Sequence, residues 1–339
     1  MPVDPSQASF VFAAIEKKYG VGSIHSGIDA PPIARISTGS HELDHATGGG
    51  IPMGRWTHLW GGISSGKSLT GWNVTRNAMK MGLGVCYYNI EKQFDPDFVS
   101  KQGIDLSSDR FRVVEEVKIE SIGDMMESLL STYHVHIVDS LANAISVDAL
   151  NAKVEEWQRG LSARAWGKVL IRVHDKLAVD NAVIMINQAR DSFGQTGGEH
   201  SPGGRFIDFV SSMTVYFKRA TWLYRTADGR LDPEAPMQKG ASEMAEPEGI
   251  EMIARVVKSR VCRPLRTARM RYDFASGGWD LTWELVKAAK FHGLINGGGR
   301  GGWYTAPDGE RLHGEPSLRE YIGLHPEFAE QVREKLRAA

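Results

Sequence analysis

The octapeptide Gly61-Gly62-Ile63-Ser64-Ser65-Gly66-Lys67-Ser68 follows the spacing G-x-x-x-x-G-K-[ST]. The apolar run Trp56–Trp60 precedes it and a helix-compatible stretch follows. That context demands a strand–loop–helix unit, and such units pack as α/β layers around a parallel sheet. The glycines let the backbone wrap a phosphate chain with its N–H groups pointing inward, and the helix N-terminus adds positive potential. Lys67 then reaches the β- and γ-phosphates, and the Ser68 hydroxyl is placed to bind Mg²⁺. With 37 glycines in the chain a glycine-rich turn can arise by chance. The correct flanks on both sides argue against that.

The surrounding pattern agrees. Strands are predicted at Trp56–Trp60, Gly84–Ile90, Phe111–Val114, His134–Val138, Val183–Asn187 and Met213–Phe217. Helices are predicted at Ser68–Met81, Asp95–Lys101, Ser121–Ser131 and Leu161–Ala178. Alternation of the two implies a mainly parallel sheet covered on both faces. Ile250–Lys258 and Ala268–Phe274 read as further strands, added antiparallel at a sheet edge. Residues 220–249 are rich in Pro, Gly, Glu and Ala, and read as a long exposed excursion. From Gly277 the chain becomes helical and glycine-punctuated, with helices at Leu281–Phe291, Ser317–Ile322 and Pro326–Leu336, a small C-terminal domain. At the other end, Phe10, Phe12, Ala13, Ile15 and Tyr19 fall at helical spacing between Gln7 and Tyr19. So short a helix has no core of its own and must dock on its own body or on a neighbouring subunit.

Composition narrows the class. A length of 339 residues allows one large α/β domain with satellites, or two domains. Lys and Arg number 40 against 41 Asp and Glu, so total charge does not advertise a nucleic-acid binder, although a local basic groove fits within a neutral total. Cys86 and Cys262 offer neither a disulfide framework nor a zinc spacing, and Cys86 reads as a small buried hydrophobe. The N-terminus lacks the basic and apolar regions of a signal peptide, and no run is long enough to span a membrane, so a cytoplasmic protein is expected.

Five other segments carry candidate chemistry. His134–Ser140 is a strand ending in Asp139, a carboxylate suited to hold Mg²⁺ through water beside the phosphate loop. Tyr87–Glu91 ends another strand. Glu91 reads either as the base that activates water for attack on the γ-phosphate or as a surface glutamate paired with Lys92. Gln188 ends a fourth strand and reads either as a γ-phosphate sensor or as an ordinary polar strand end. The loop from Arg190 to Gly204, with Phe193 and the following Arg205, suits single-stranded DNA or is simply a surface loop. Lys258 and Arg260 lie two apart, on one face of a strand. By themselves they read as a charged, solvated sheet edge.

Taken in order, these segments resemble the RecA recombinase family, over nearly the whole chain. Ile15–Gly20 and Gly22-Ser23-Ile24 are similar to its N-terminal helix and strand, and Ile36–Ser40 with Leu43-Asp44 to the entry into its ATPase core. Gly50–Arg55, Glu91 with Asp95-Pro96, Val138-Asp139-Ser140, Asn187-Gln188, Gly203-Gly204 and Gly301–Tyr304 follow in register. The resemblance implies a RecA-type P-loop ATPase core with a mainly parallel central sheet over 35–274, an N-terminal polymerisation helix and strand over 1–34, and a small C-terminal α/β domain over 275–339. It implies a DNA-dependent ATPase that uses ATP and Mg²⁺, forms helical filaments on single-stranded DNA, and pairs that strand with homologous duplex DNA in recombination and repair. Residue by residue, Gly61 through Leu69, Asp95 and Phe98 would bind nucleotide, with Phe98 against adenine, and Ser68 and Asp139 would hold the metal. Glu91 would activate water, Lys67 would bind phosphate, and Gln188 would couple the γ-phosphate to the DNA loop. Lys258 and Arg260 would reach ATP across a subunit interface. Arg164, Arg190, Phe193, Gly203, Gly204 and Arg205 would meet DNA.

The chain also departs from the family. Gly62-Ile63 stands where Pro-Glu is usual, Asn89-Ile90 where Asp-Ala is usual, and Arg260 where a second lysine is usual. A divergent copy, such as one carried by a phage or plasmid, fits these differences. Two other readings share the motifs: a filament-forming DNA-coating scaffold with a weak, switch-like ATP site, and another motor of the same fold, such as a ring helicase.

Overall fold

The computed structural model describes residues 4–20, 23–25, 27–29, 32–152, 160–191, 199–200, 205–227, 229–234, 246–298 and 301–338. The chain falls into two compact units, 1–34 and 35–339. In the first, Pro5–Tyr19 is a helix and Gly27–Asp29 a single 3₁₀ turn. Ser23 and Ile24, expected in a strand, lie in a bend. A strand needs a neighbour to complete its ladder, and none is paired with them among the described residues.

The second unit is built on a ten-stranded sheet. In chain order its strands are β1 Arg55–Gly61, β2 Val85–Asn89, β3 Phe111–Val114, β4 Val135–Asp139, β5 Ala182–Gln188, β6 Met213–Arg225, β7 Leu231–Asp232, β8 Gly249–Ser259, β9 Thr267–Asp273 and β10 Gly278–Trp279. Across the sheet the order is β10-β9-β8-β6-β1-β5-β4-β2-β3, with β7 on β6. Strands β3, β2, β4, β5, β1 and β6 pair in parallel. From β6 outward the pairing turns antiparallel. The predicted mainly parallel sheet with an antiparallel edge is therefore present.

Side chains alternate between the two faces, as the period of two in a strand requires. Tyr87, Ile137, Ile184 and Ile186 join one buried cluster, with Trp72, Val74 and Ala78 of the helix Lys67–Lys80. Tyr88, Val138, Val183 and Met185 join the other, under the helices Ile119–Leu129 and Leu161–Lys176. Those two helices meet closely at Gly123, where a Cβ would lie 2.8 Å from the Val169 methyls. Cys86 is buried, and burial pushes its thiol up to about 12.

One expectation is corrected. Residues 220–225 do not leave the sheet but continue β6 as far as Arg225, paired with β8 and β7. Trp222 and Leu223 lie opposite Ile250 and Gly249, and this long-range pairing supplies what local composition does not show. Residues 235–245 of the excursion lie outside the described residues.

C-terminal to β10, the helices Leu281–Phe291, Gly314–Leu324 and Pro326–Ala338 enclose their own core around Leu285, Leu318 and Val332. A three-stranded antiparallel sheet, Asn296–Gly297, Trp303–Thr305 and Arg311–His313, joins them. Glu284 anchors this region to the short helix His41–Thr47. Its carboxyl accepts from the Ser40 hydroxyl at 2.8 Å and the Glu42 N–H at 3.2 Å. Lys287 adds an ion pair to Glu42 at 2.8 Å.

Candidate phosphate and metal site

The parallel strands place four carboxyl ends on one edge. Gly61 pairs with Gln188, and Asn89 with Asp139. Between β1 and β2 lie β5 and β4, so the chain crosses over two strands and leaves a crevice at that edge, where ligands bind in open α/β sheets.

The loop after β1 is held tightly. A Cβ at Gly61 would sit 2.0 Å from the Phe217 carbonyl oxygen, and one at Gly66 would sit 1.9 Å from the Met252 sulfur. Gly66 caps the helix Lys67–Lys80 with φ 95°, a left-handed conformation that favours glycine. Lys67 is buried, its Nζ donating to the carbonyls of Gly61 at 3.0 Å and Gly62 at 2.7 Å and to Ser65 Oγ at 3.3 Å. The ammonium thus lies folded over the loop.

Ser68 Oγ donates to Asp139 Oδ2 at 2.7 Å, and Tyr87 OH donates to the same oxygen at 2.6 Å. Tyr87 is fixed by stacking on Trp72, ring centroids 3.9 Å apart. Burial raises the Asp139 carboxyl above its ordinary range, against the pull of the two hydroxyl donors and of the Lys67 charge. Burial and the same carboxylate push the Tyr87 phenol well up, so it stays a donor. A hydroxyl and a carboxylate form a hard-oxygen pair. That chemistry fits Mg²⁺, which takes few protein ligands and completes its shell with water and phosphate.

Glu91 lies on the turn that follows β2. Its Oε1 accepts from Ser140 Oγ at 2.5 Å and from Gln188 Nε2 at 2.7 Å. The turn that carries it is tied back by Asn89, whose Oδ1 accepts from the Gln93 N–H at 3.1 Å and whose Nδ2 donates to Glu115 at 2.8 Å. Of the two readings of Glu91, the geometry shows a carboxylate engaged by the ends of β4 and β5.

Other expected residues are placed as follows. Asp95 caps the helix Pro96–Lys101, accepting from the N–H groups of Asp97 and Phe98 at 3.0 and 3.3 Å, and Phe98 is exposed on that helix. Arg164 is exposed in the first turn of the helix Leu161–Lys176. Arg190 lies in a two-residue ladder, Arg190↔His200 and Asp191↔Glu199, and Arg205 begins the helix Arg205–Val210. Phe193, Gly203 and Gly204 lie outside the described residues.

Lys258 and Arg260 do not line the cavity beside this chain's phosphate loop; Lys258 pairs with Thr214 of β6, which in turn lies beside His58 of β1, upstream of the loop. Lys258 Nζ instead donates to the carbonyls of Asp208 and Ser211, the latter at 2.8 Å, at the end of the helix Arg205–Val210. Burial and the neighbouring Arg260 lower its pKa.

Comparison with known proteins agrees with this geometry. The RecA N-terminal domain family matches residues 7–278. The chain belongs to the RecA family. It is 29% identical over 333 residues to Protein RecA of Aquifex aeolicus, covering 96% of this chain and 90% of that protein. Protein RecA of Acholeplasma laidlawii is 29% identical over 331 residues, 95% of this chain and 93% of its own length. For Protein RecA of Thermus aquaticus the figures are 29% over 330 residues, 95% and 91%. Membership supports a RecA-type recombinase and ATPase role, with a nucleotide and a metal. No helix among the described residues is long and apolar enough to cross a membrane.

Tyr87 and Ser140 carry no sequence signal of a role, although both stand at the strand ends that do. Nor do Trp222, Ile250 and Phe274, which line a cavity of about 250 Å³ with Ser64 through Leu69 of this RecA-family phosphate loop. Only the strand pairing shows that wall.

Proposed function

We propose that this protein is a DNA-dependent ATPase that forms ATP-bound helical filaments on single-stranded DNA and carries out homologous pairing and strand exchange. The observation that carries the reading is the gathering of Lys67, Ser68, Asp139, Glu91, Ser140 and Gln188 at one sheet edge, each in hydrogen-bond contact with a neighbour. The loop backbone and Lys67 would bind the ATP phosphates. Ser68 and Asp139 would hold Mg²⁺, which when bound neutralises phosphate charge. Glu91 would orient and deprotonate the attacking water. Gln188, which touches Glu91 and ends the strand before the 190–204 loop, would report the γ-phosphate to that loop. Lys258 and Arg260, which do not line their own loop's cavity, would act on a neighbouring subunit's nucleotide. The helix Pro5–Tyr19 supports polymerisation through its exposed Phe10, Phe12 and Tyr19.

Electron microscopy with single-stranded DNA, Mg²⁺ and ATP should show helical filaments that ADP fails to sustain, and a strand-exchange assay should yield joint molecules. Closed rings would support a ring motor. Filaments without exchange would support a DNA-coating scaffold.

A further inference from the structure

The Asp139 carboxylate is held from two directions. Ser68 Oγ reaches it from the first turn of the helix Lys67–Lys80 at 2.7 Å, and Tyr87 OH reaches it from β2 at 2.6 Å. Strand register explains the second contact. Asn89 lies beside Asp139, and Tyr87 lies beside Ile137. Alternate residues of a strand share a face, and a long aromatic side chain spans the diagonal from Tyr87 to Asp139. The phenol ring is buried and stacked on Trp72 of the phosphate-loop helix, with centroids 3.9 Å apart and planes 18° from parallel. Trp72 in turn meets Phe94 edge-on, at 6.1 Å. The hydroxyl is therefore fixed by the packing of its own ring.

We infer that Tyr87 is a positioning residue for the metal site: its phenol fixes the Asp139 carboxylate so that one oxygen is left to the cation or its water. The inference deepens the proposed reading of Ser68 and Asp139 as the metal-holding pair and rests on it. Both donors end on Oδ2, and Oδ1 is the oxygen that remains. The Ser68 hydroxyl has one proton, which goes to Asp139, and its lone pairs can still bind metal. One anchor of the carboxylate is thus itself a metal ligand. Tyr87 is the anchor that takes no part in coordination, so it holds the carboxylate whether or not a cation is bound. Partners of this kind, one bond removed from the metal, raise affinity by orienting a ligand in advance. Tyr88 supplies the contrast. It is the next residue of β2 and is also buried, but it belongs to the opposite face of the sheet, where its hydroxyl meets His136 Nδ1 at 3.0 Å. Of two adjacent phenols, one touches Asp139 and the other does not.

The test uses the full chain with ADP and Mn²⁺, a cation that suits the same oxygen ligands as Mg²⁺ and whose free form is counted by electron paramagnetic resonance. Tyr87→Phe keeps the ring and removes the hydroxyl alone. Its Mn²⁺ dissociation constant in the presence of ADP should rise about tenfold, on the scale of a lost partner to a metal ligand. ADP binding in EDTA, read by calorimetry, should stay parental. Tyr88→Phe should leave both measurements unchanged. A phenol that served only the core would lower the melting temperature without moving Mn²⁺ affinity, or would weaken ADP binding equally with and without metal. Either result would overturn the inference, as would an equal loss of Mn²⁺ affinity in Tyr88→Phe. If the parent chain with ADP held Mn²⁺ no more tightly than ADP alone does, the metal-site reading would fail and this inference with it. Tight parental binding that persists in Tyr87→Phe would sink the positioning role alone.

Discussion

The two flanks of the phosphate loop are built on opposite plans. Toward β5, β4 and β2 the neighbours are polar and bonded to one another: Asp139 to Ser68 and Tyr87, Glu91 to Ser140 and Gln188. Toward β6, β8 and β9 the wall is Trp222, Ile250 and Phe274. Parallel strands bring their carboxyl ends to one edge, so single terminal residues converge there on phosphate chemistry. The antiparallel extension instead runs past that edge and offers a side wall. One sheet thus presents a polar, hydrogen-bonded edge and an apolar wall side by side, and substitutions on the two flanks should have separable effects.

The polar flank should show the largest effects. Lys67→Ala removes the charge folded over the loop, and ATP hydrolysis should fall about hundredfold or more, on the scale of losing a preorganised donor at developing charge. A parental rate in that variant would break the assignment of the whole site. Glu91→Gln keeps the shape of the side chain but removes its basicity. Turnover should drop about hundredfold while ATP affinity holds, the signature of general-base loss; equal losses in binding and turnover would point to a structural role. Ser140→Ala should be milder, lowering kcat about tenfold with unchanged KM, because Gln188 still positions the carboxylate. If Ser140→Ala matched Glu91→Gln, positioning would matter as much as the base.

A smaller effect should appear where the C-terminal region meets the core, away from both flanks. Burial raises the Glu284 carboxyl from 4.5 to about 8, with Glu42 adding to the shift. The folded chain therefore holds a proton there that the unfolded chain releases, and stability falls as pH rises from 4.5 to about 8. Burial pushes His58 down to about 3 and His136 to about 4, both from 6.5. For them the unfolded chain binds the extra proton, so their contribution is lost as pH falls below 6.5. Glu284→Gln should flatten the alkaline slope, gaining on the order of 2 kcal/mol near pH 8.5, and leave the acid slope in place. Denaturant melts across pH would show it, and an unchanged alkaline slope would exclude Glu284 as its source.

Legibility in the sequence follows the same division. The convergence of the phosphate loop, Asp139, Glu91 and Gln188 at one edge is legible because each ends, or in Glu91 closely follows, a strand of local apolar pattern, and parallel order alone aligns such ends. Tyr87 and Ser140 stood in the same segments but lacked a signal, since a hydroxyl declares no partner until a register is fixed. Trp222 was hidden among residues whose composition reads as loop. Its strand exists through pairing with β8, and such non-local pairing leaves no period in a short window. The three short strands at Asn296–Gly297, Trp303–Thr305 and Arg311–His313 escaped for the same reason, being two or three residues each between glycines. The placement of Lys258 against Asp208 and Ser211 likewise depends on a distant contact.

The most direct test of the central claim is Mg²⁺-dependent ATP hydrolysis by the parent chain and Glu91→Gln, with and without single-stranded DNA, across a salt series. The account predicts strong stimulation by DNA that fades as salt rises, as backbone-held single strands require, and near-silence in the Glu91→Gln protein under every condition. Hydrolysis indifferent to DNA, or equal in the two proteins, would contradict it.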